Sequence, residues 1–122
     1  MANKYVLSGL GYALLGLVLG IYMAASKDHG QLVTHAHILL LGFVVSCVYG
    51  LLYKIWALEH KLAFLQYLSH QVGSFLLLVS LFCLYGGILP ESILGPVLGI
   101  SSIIVLVGTV LMKIIFIQSM KK

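Results

Sequence analysis

The sequence of 122 residues contains no arginine, only three acidic residues and only two prolines. The three carboxylates, on Asp28, Glu59 and Glu91, all fall at the ends of apolar runs. None is therefore placed for the acidic relay in mid-membrane that is typical of a proton pump. The sequence also lacks a nucleophile elbow, a phosphate-binding loop and a covalent heme-attachment motif. These absences exclude the enzyme classes that carry such motifs.

Cysteine and basic residues are also few, and each kind lies at particular positions relative to the apolar runs. Cys47 and Cys83 both lie inside apolar runs, so we predict no disulfide and interpret both as small packing residues. All seven basic residues are lysines, and they lie at the ends of apolar runs rather than among exposed aromatic side chains. This placement favours contacts with lipid headgroups and excludes nucleic acid as a partner.

Hydrophobic residues dominate the composition, at 61% against 8% charged, which is typical of a membrane protein. Four apolar segments reach the about 18–20 residues that cross a bilayer, over residues 5–25, 31–57, 62–86 and 93–119. The links between them are short, so neighbouring helices should run antiparallel. We predict an all-α membrane protein: a single domain, residues 1–122, that forms an antiparallel bundle of four transmembrane helices in the lipid bilayer.

The lysines also predict the orientation of the bundle. Six lysines fall on one side of the membrane and only Lys27 on the other, which places both termini in the cytoplasm. The first segment exceeds the about 7–15 apolar residues of a signal peptide, so we interpret it as a retained helix. The expected location is a bacterial inner membrane.

Small residues recur at helical spacing in three of the segments. In lipid they allow helix backbones to approach closely, and a flat stripe also accommodates a planar macrocycle. We therefore count Gly42 and Ser46 among the candidate cofactor contacts. The tyrosines, including Tyr49 and Tyr53, are expected near the membrane interfaces. The stripes comprise Gly9, Ala13, Gly16 and Gly20, then Gly42, Ser46 and Gly50, and finally Gly95 and Gly99.

Two histidines, His35 and His37, open the second segment. An ionisable ring within an apolar span is costly and indicates a functional site. On a helix, positions two apart point about 200° away from each other, so the pair should not chelate one metal. We expect His35 to share the stripe of Gly42 and His37 to face the opposite side with Val44.

A third histidine, His70, lies on the polar stripe of the third segment. That stripe should face protein rather than lipid. Imidazole binds iron, copper or zinc through one nitrogen while the other donates to a carbonyl or hydroxyl, but a purely structural ring is an equal alternative for His70. The expected depths of His37 and His70 differ on the order of 10 Å, which disfavours one iron between them in a single chain. Two copies related by a two-fold axis would supply equivalent histidines at one depth. The stripe comprises Gln66, His70, Gly73, Ser74 and Ser80.

The stretch T-H-A-H-I-L-L-L-G-F-V-V-S-C-V-Y-G-L-L-Y resembles the tenth helix of the catalytic subunit of heme–copper oxidases, especially the cbb-type and nitric oxide reductase branch. The resemblance rests on His35, His37, Gly42, Gly50 and Tyr53. The third segment, Q-Y-L-S-H-Q-V-G, is more weakly similar to the next helix of that subunit. The resemblance implies that His35 would bind a gas-reactive high-spin heme and His37 an electron-transferring low-spin heme. The copper-binding histidines of the family are absent, and so is the helix that carries the opposite low-spin ligand, so oxygen reduction to water is not expected.

The leading hypothesis is a membrane protein that binds heme b non-covalently through His35 or His37, with His70 as a further candidate ligand. Its role would be electron transfer, gas binding or sensing, or heme handling. We expect a homodimer or higher homo-oligomer and a respiratory-chain partner. Two alternatives stay open: a cofactor-free accessory or assembly subunit of a respiratory oxidase, and a copper or zinc site formed by His35, His37 and His70.

Overall fold

Four long helices make up the protein. The computed structural model describes residues 1–121 and contains no β-strand within them. The helices are α1 (Ala2–Ser26), α2 (Leu32–Ile55), α3 (Ala63–Tyr85) and α4 (Glu91–Ser119), and each is long and apolar enough to cross a membrane. The predicted all-α architecture with four potential membrane spans is thus confirmed.

Helix α2 is not uniform. It is α-helical over Leu32–His37, π-helical over Ile38–Val45 and α-helical again over Ser46–Ile55. A π turn holds more residues than the 3.6 of an α turn. In an α-helix, residues spaced four apart shift gradually around the helix axis. The π segment turns by a smaller angle per residue and offsets this shift. Gly42, Ser46 and Gly50 therefore lie close to one side of α2, and all three are buried. The sequence period alone predicts a regular α-helix, so the π segment is a correction.

The glycines of α1 pack against α2, and this contact shows the close approach that the sequence predicts at small residues. A Cβ atom added to Gly9 would lie 2.8 Å from Cys47 Sγ, and one added to Gly16 would lie 2.6 Å from Leu39 Cδ2. A Cβ atom on Gly42 of α2 would lie 2.6 Å from Cγ of the Tyr12 ring. These distances are too short for real atoms, so glycine at these positions permits the close contact between the two helices.

The second large interface joins α3 to α4, and it differs from the prediction. Gly95 and Gly99 have open space around them within the chain, whereas Gly108 packs against the backbone of α3. A Cβ on Gly108 would lie 3.2 Å from the backbone nitrogen of His70, and one on Gly73 would lie 2.9 Å from the backbone nitrogen of Val105. The close contact between α3 and α4 is therefore made at Gly108, further along α4 than the predicted pair Gly95 and Gly99.

Two glycine substitutions should distinguish the effect of this helix packing on stability from the effect of helix propensity. Gly73→Ala places a methyl group against the backbone of Val105 and should lower the free energy of unfolding by about 1–3 kcal/mol, as overpacked cores do. Gly99→Ala meets open space and should raise it by up to about 1 kcal/mol, because alanine loses less entropy in a helix. Titration of the detergent-solubilised protein with sodium dodecyl sulfate, followed by circular dichroism, measures both. Equal effects of the two variants would contradict the packing at Gly73.

Candidate functional site

His35 lies against α1 with one ring nitrogen engaged. Its Nδ1 is 2.9 Å from the carbonyl oxygen of Gly16, and a carbonyl can only accept, so Nδ1 carries the proton. The lone pair is therefore on Nε2, the nitrogen that a metal-bound histidine commonly uses. The ring is half-buried. A Cβ on Gly20 would lie 2.9 Å from His35 Cε1 and 3.5 Å from Nε2, so α1 covers this edge of the ring.

His37 has the same hydrogen-bond pattern in a different environment. Its Nδ1 donates to the carbonyl of Val33, one turn earlier, at 2.9 Å, which again leaves the lone pair on Nε2. The residue is exposed, as are Val44 and Val48 further along α2. The prediction that the two histidines face different sides is confirmed: His35 packs on α1, and His37 lies on the outer surface of the bundle.

His70 is in the core, with only 1% of its surface exposed. Its Nε2 is hydrogen-bonded to Ser46 Oγ at 2.8 Å, and its ring packs against Tyr5 and Tyr49, with centroids 5.6 and 5.0 Å apart. The Nδ1 atom of His70 and the hydroxyl of Ser74 are buried without a hydrogen-bond partner in the described chain. Ser46, a candidate cofactor contact, is thus the partner of His70, and Gly42, the other, is covered by Tyr12.

The three histidines do not come together. His35 contacts α1, while His70 contacts Ser46, which lies eleven residues further along α2, beyond the π segment. No group of three or more histidine, cysteine or acidic residues is close enough to hold a metal ion within residues 1–121. A copper or zinc site that requires all three side chains in one chain has no geometric support.

The best-connected polar cluster surrounds Gln66, and the sequence analysis did not find it. Gln66 Oε1 accepts hydrogen bonds from the hydroxyls of Tyr5, at 2.6 Å, and Tyr53, at 3.0 Å. Its Nε2 donates to the carbonyl of Gly108 at 3.3 Å. The polar stripe of α3 is buried as predicted, but Tyr49 and Tyr53 are buried with it instead of lying exposed at an interface. The polar stripe contains the signal for this cluster, because a buried glutamine oxygen requires hydrogen-bond donors, and the hydroxyls of Tyr5 and Tyr53 supply them.

A cavity of about 780 Å³ lies between α1, α2 and α3 and is open to the surface of the bundle, where Leu15, Val18 and Phe75 of its lining are exposed. Aromatic rings form much of its wall, including Tyr12, Tyr22, Phe82 and Tyr85. Asp28, Gln31 and Thr34 lie at one end. The volume is within the range of small-molecule sites, but none of the three histidines belongs to the lining. The cavity therefore offers no imidazole to a heme iron.

Comparison with known proteins gives no further constraint: no protein family, no curated protein and no solved structure matches the chain. Nothing in these comparisons links it to heme–copper oxidases. A functional assignment therefore rests on the geometry of the side chains.

Proposed function

We propose that the protein binds heme b non-covalently in a bacterial inner membrane, with His37 Nε2 as the axial ligand. The observation that carries the proposal is the hydrogen bond from His37 Nδ1 to the Val33 carbonyl, on an exposed face of an apolar span. Metal-bound histidines usually donate their second ring nitrogen to a carbonyl or carboxylate in this way, which fixes the tautomer and the ring. The lone pair on Nε2 lies on this apolar surface without a hydrogen-bond partner among residues 1–121, and iron is a suitable partner.

A second copy of the chain would complete the site. His37 lies on the outer surface and not on the wall of the cavity, so one chain alone does not enclose a porphyrin. A two-fold axis along the membrane normal brings the two His37 residues to equal depth. Both axial positions are then filled by imidazole, and a heme ligated in this way transfers electrons rather than binding gases. A membrane or soluble redox protein would be the partner.

His35 and His70 have other roles in this proposal. The ring of His35 is held against Gly16 and Gly20, where the backbone of α1 blocks a planar macrocycle. His70 is buried, with Nε2 bonded to Ser46. We assign both to packing and hydrogen bonding between helices.

The proposed topology is an antiparallel bundle with both termini in the cytoplasm. Contacts between α1 and α2 support the direction, because residue numbers rise along one helix as they fall along the other. Gly9 meets Cys47, Gly16 meets Leu39 and Gly20 meets His35. The excess of lysine at one end supports the orientation.

A cofactor-free accessory or assembly subunit of a respiratory complex is the second candidate. It is favoured by the fact that His35, His37 and His70 each have a hydrogen bond to a protein atom already. In that case the protein would co-purify with a larger oxidase and would contain no iron.

Absorption spectra of the purified protein separate these functions. We expect a Soret band after expression with added heme precursor, sharp α and β bands on reduction, and no change with carbon monoxide, because both axial positions are occupied. Iron and protein assays should give one heme for two chains. A protein that has no Soret band after reconstitution with hemin contradicts heme binding. A carbon monoxide shift contradicts ligation by two histidines.

A further inference from the structure

The cavity between α1, α2 and α3 is charged at one end only. Asp28 is the ionisable acid in its lining, and no lysine belongs to that lining. One carboxylate oxygen, Oδ1, accepts the backbone N–H of Gly30 at 3.0 Å, which holds the side chain and leaves Oδ2 for another group. The nearby amide of Gln31 is already bonded to the carbonyl of Phe82 and the hydroxyl of Thr34. The charge at this end of the cavity therefore favours a cation.

Aromatic rings lie at the same end as the carboxylate. Tyr22 is near the end of α1, and Phe82 and Tyr85 are near the end of α3, next to the loop that carries Asp28. The faces of such rings attract cations that are weakly hydrated, and aromatic cages recognise quaternary ammonium groups in this way. A carboxylate with aromatic neighbours thus selects a soft organic cation over a small hydrated ion.

The remainder of the cavity is apolar. Leu15, Val18, Leu19 and Leu78 contribute to its wall, and it extends along α1 to Tyr12. Ten residues separate Tyr12 from Tyr22, a rise of about 15 Å along the helix. An apolar body or tail attached to the cation would fill this length and gain free energy by burial.

We propose that this cavity binds a lipophilic organic cation, with the positive centre between Asp28 and the rings of Tyr22, Phe82 and Tyr85 and the apolar part directed toward Tyr12. A zwitterionic phospholipid has a cationic headgroup too. Its phosphate, however, would lie beside the carboxylate in a cavity whose lining has no lysine, so a free amphiphilic cation is the better match. This site is separate from His37 and independent of the heme proposal.

Tetraphenylphosphonium is a suitable probe, because tetraphenylborate has the same shape and the opposite charge. The protein is placed in nanodiscs of phosphatidylglycerol, whose headgroup carries no ammonium group, and binding of the radiolabelled phosphonium is measured against empty nanodiscs. We expect saturable binding at one site per chain. Asp28→Asn keeps an oxygen for the Gly30 N–H and should weaken binding by up to about fivefold, because an exposed charge partner contributes at most about 1 kcal/mol. Leu19→Trp, which fills the cavity without changing charge, should weaken it as well.

Glu91→Gln is the matched control, because it removes an exposed carboxylate from the first residue of α4, outside the cavity lining. It should leave the affinity unchanged. The proposal is overturned if Asp28→Asn and the wild type bind equally, if tetraphenylborate, measured in separate samples, binds as tightly as the phosphonium, or if no binding exceeds that of empty nanodiscs. Competition by phosphatidylethanolamine added to the nanodiscs would assign the cavity to a lipid headgroup and overturn the free cation as occupant. Heme binding is measured by absorption spectroscopy in a separate experiment. A negative result in the phosphonium assay therefore does not alter the assignment of His37.

Discussion

Replacement of Gln66 by leucine is expected to lower the free energy of unfolding by about 2–5 kcal/mol, since the three hydrogen bonds it makes are worth about 0.6–1.7 kcal/mol each within a membrane. The side chain of Gln66 is fully buried and links α3 to α1, α2 and α4 through Tyr5, Tyr53 and Gly108. Leucine fills a similar volume but leaves the hydroxyls of Tyr5 and Tyr53 without their acceptor. The Gly108 carbonyl loses its second donor and keeps only its bond within α4. The Tyr5 hydroxyl has no alternative access to water, because Tyr5 is 0% exposed.

Gln71→Leu is the matched control for this substitution. Gln71 lies on the same helix, is only half-buried and makes one side-chain bond, from Nε2 to Ser8 Oγ at 2.9 Å. Its loss should cost at most about 1.7 kcal/mol. Unfolding in sodium dodecyl sulfate, followed by circular dichroism, measures both variants. An equal loss of stability in the two variants would contradict this account. It would mean that the Gln66 cluster stabilises the bundle no more than the single half-buried hydrogen bond of Gln71.

The position of this cluster explains the shape of the bundle. The hydrogen bonds of Gln66 and Gln71 link α1 to α3 in the half of the bundle that contains Tyr5 and Ser8. In the other half the cavity separates the same two helices, where Tyr22 of α1 and Phe82 of α3 are part of its wall. Polar bonds thus join the two helices in one half of the bundle, and the cavity lies in the other half.

Much of the fold is predictable from simple features of the sequence. Four apolar runs of sufficient length predict four helices, because a backbone in lipid must satisfy its own hydrogen bonds. The polar stripe of α3 was predicted to face protein, and Gln66, His70 and Ser74 are indeed buried. The opposite orientations of His35 and His37 follow from the 3.6-residue period, because the H-x-H pair precedes the π segment.

The features that escaped prediction depend on contacts between helices. The burial of Tyr5, Tyr49 and Tyr53 requires knowing that Gln66 and His70 lie opposite them, and interface statistics for tyrosine point the other way. The π segment has no signature in the residues Ile38–Val45, which are apolar and regular. The cavity depends on the distances between α1, α2 and α3, and the periodicity of a single helix carries no information about its distance from another helix.

A histidine series is expected to give the second large effect, on heme. His37→Ala removes the proposed axial ligand and should lower hemin affinity by more than about a hundredfold, beyond the 10–100-fold typical for loss of a group that merely supports a metal ligand. His35→Ala and His70→Ala should retain the absorption spectrum, because α1 covers one edge of the His35 ring and Ser46 is bonded to His70 Nε2. His70→Ala should instead lower stability, since it leaves the buried Ser46 hydroxyl without its partner.

His29→Ala is the control for the loss of an imidazole as such, because His29 is exposed in the loop between α1 and α2 and lies outside the apolar spans. Hemin titrations of the four variants, followed at the Soret band and by the apparent mass in detergent, test the ligand and the dimer together. Loss of heme should coincide with loss of the heme-dependent dimer in His37→Ala alone. A spectrum lost in His35→Ala and kept in His37→Ala would reverse the assignment, since it would require α1 to move away from the His35 ring. Equal Soret bands in all four variants would contradict ligation by any of these histidines, whereas no Soret band in the wild type would favour the cofactor-free subunit.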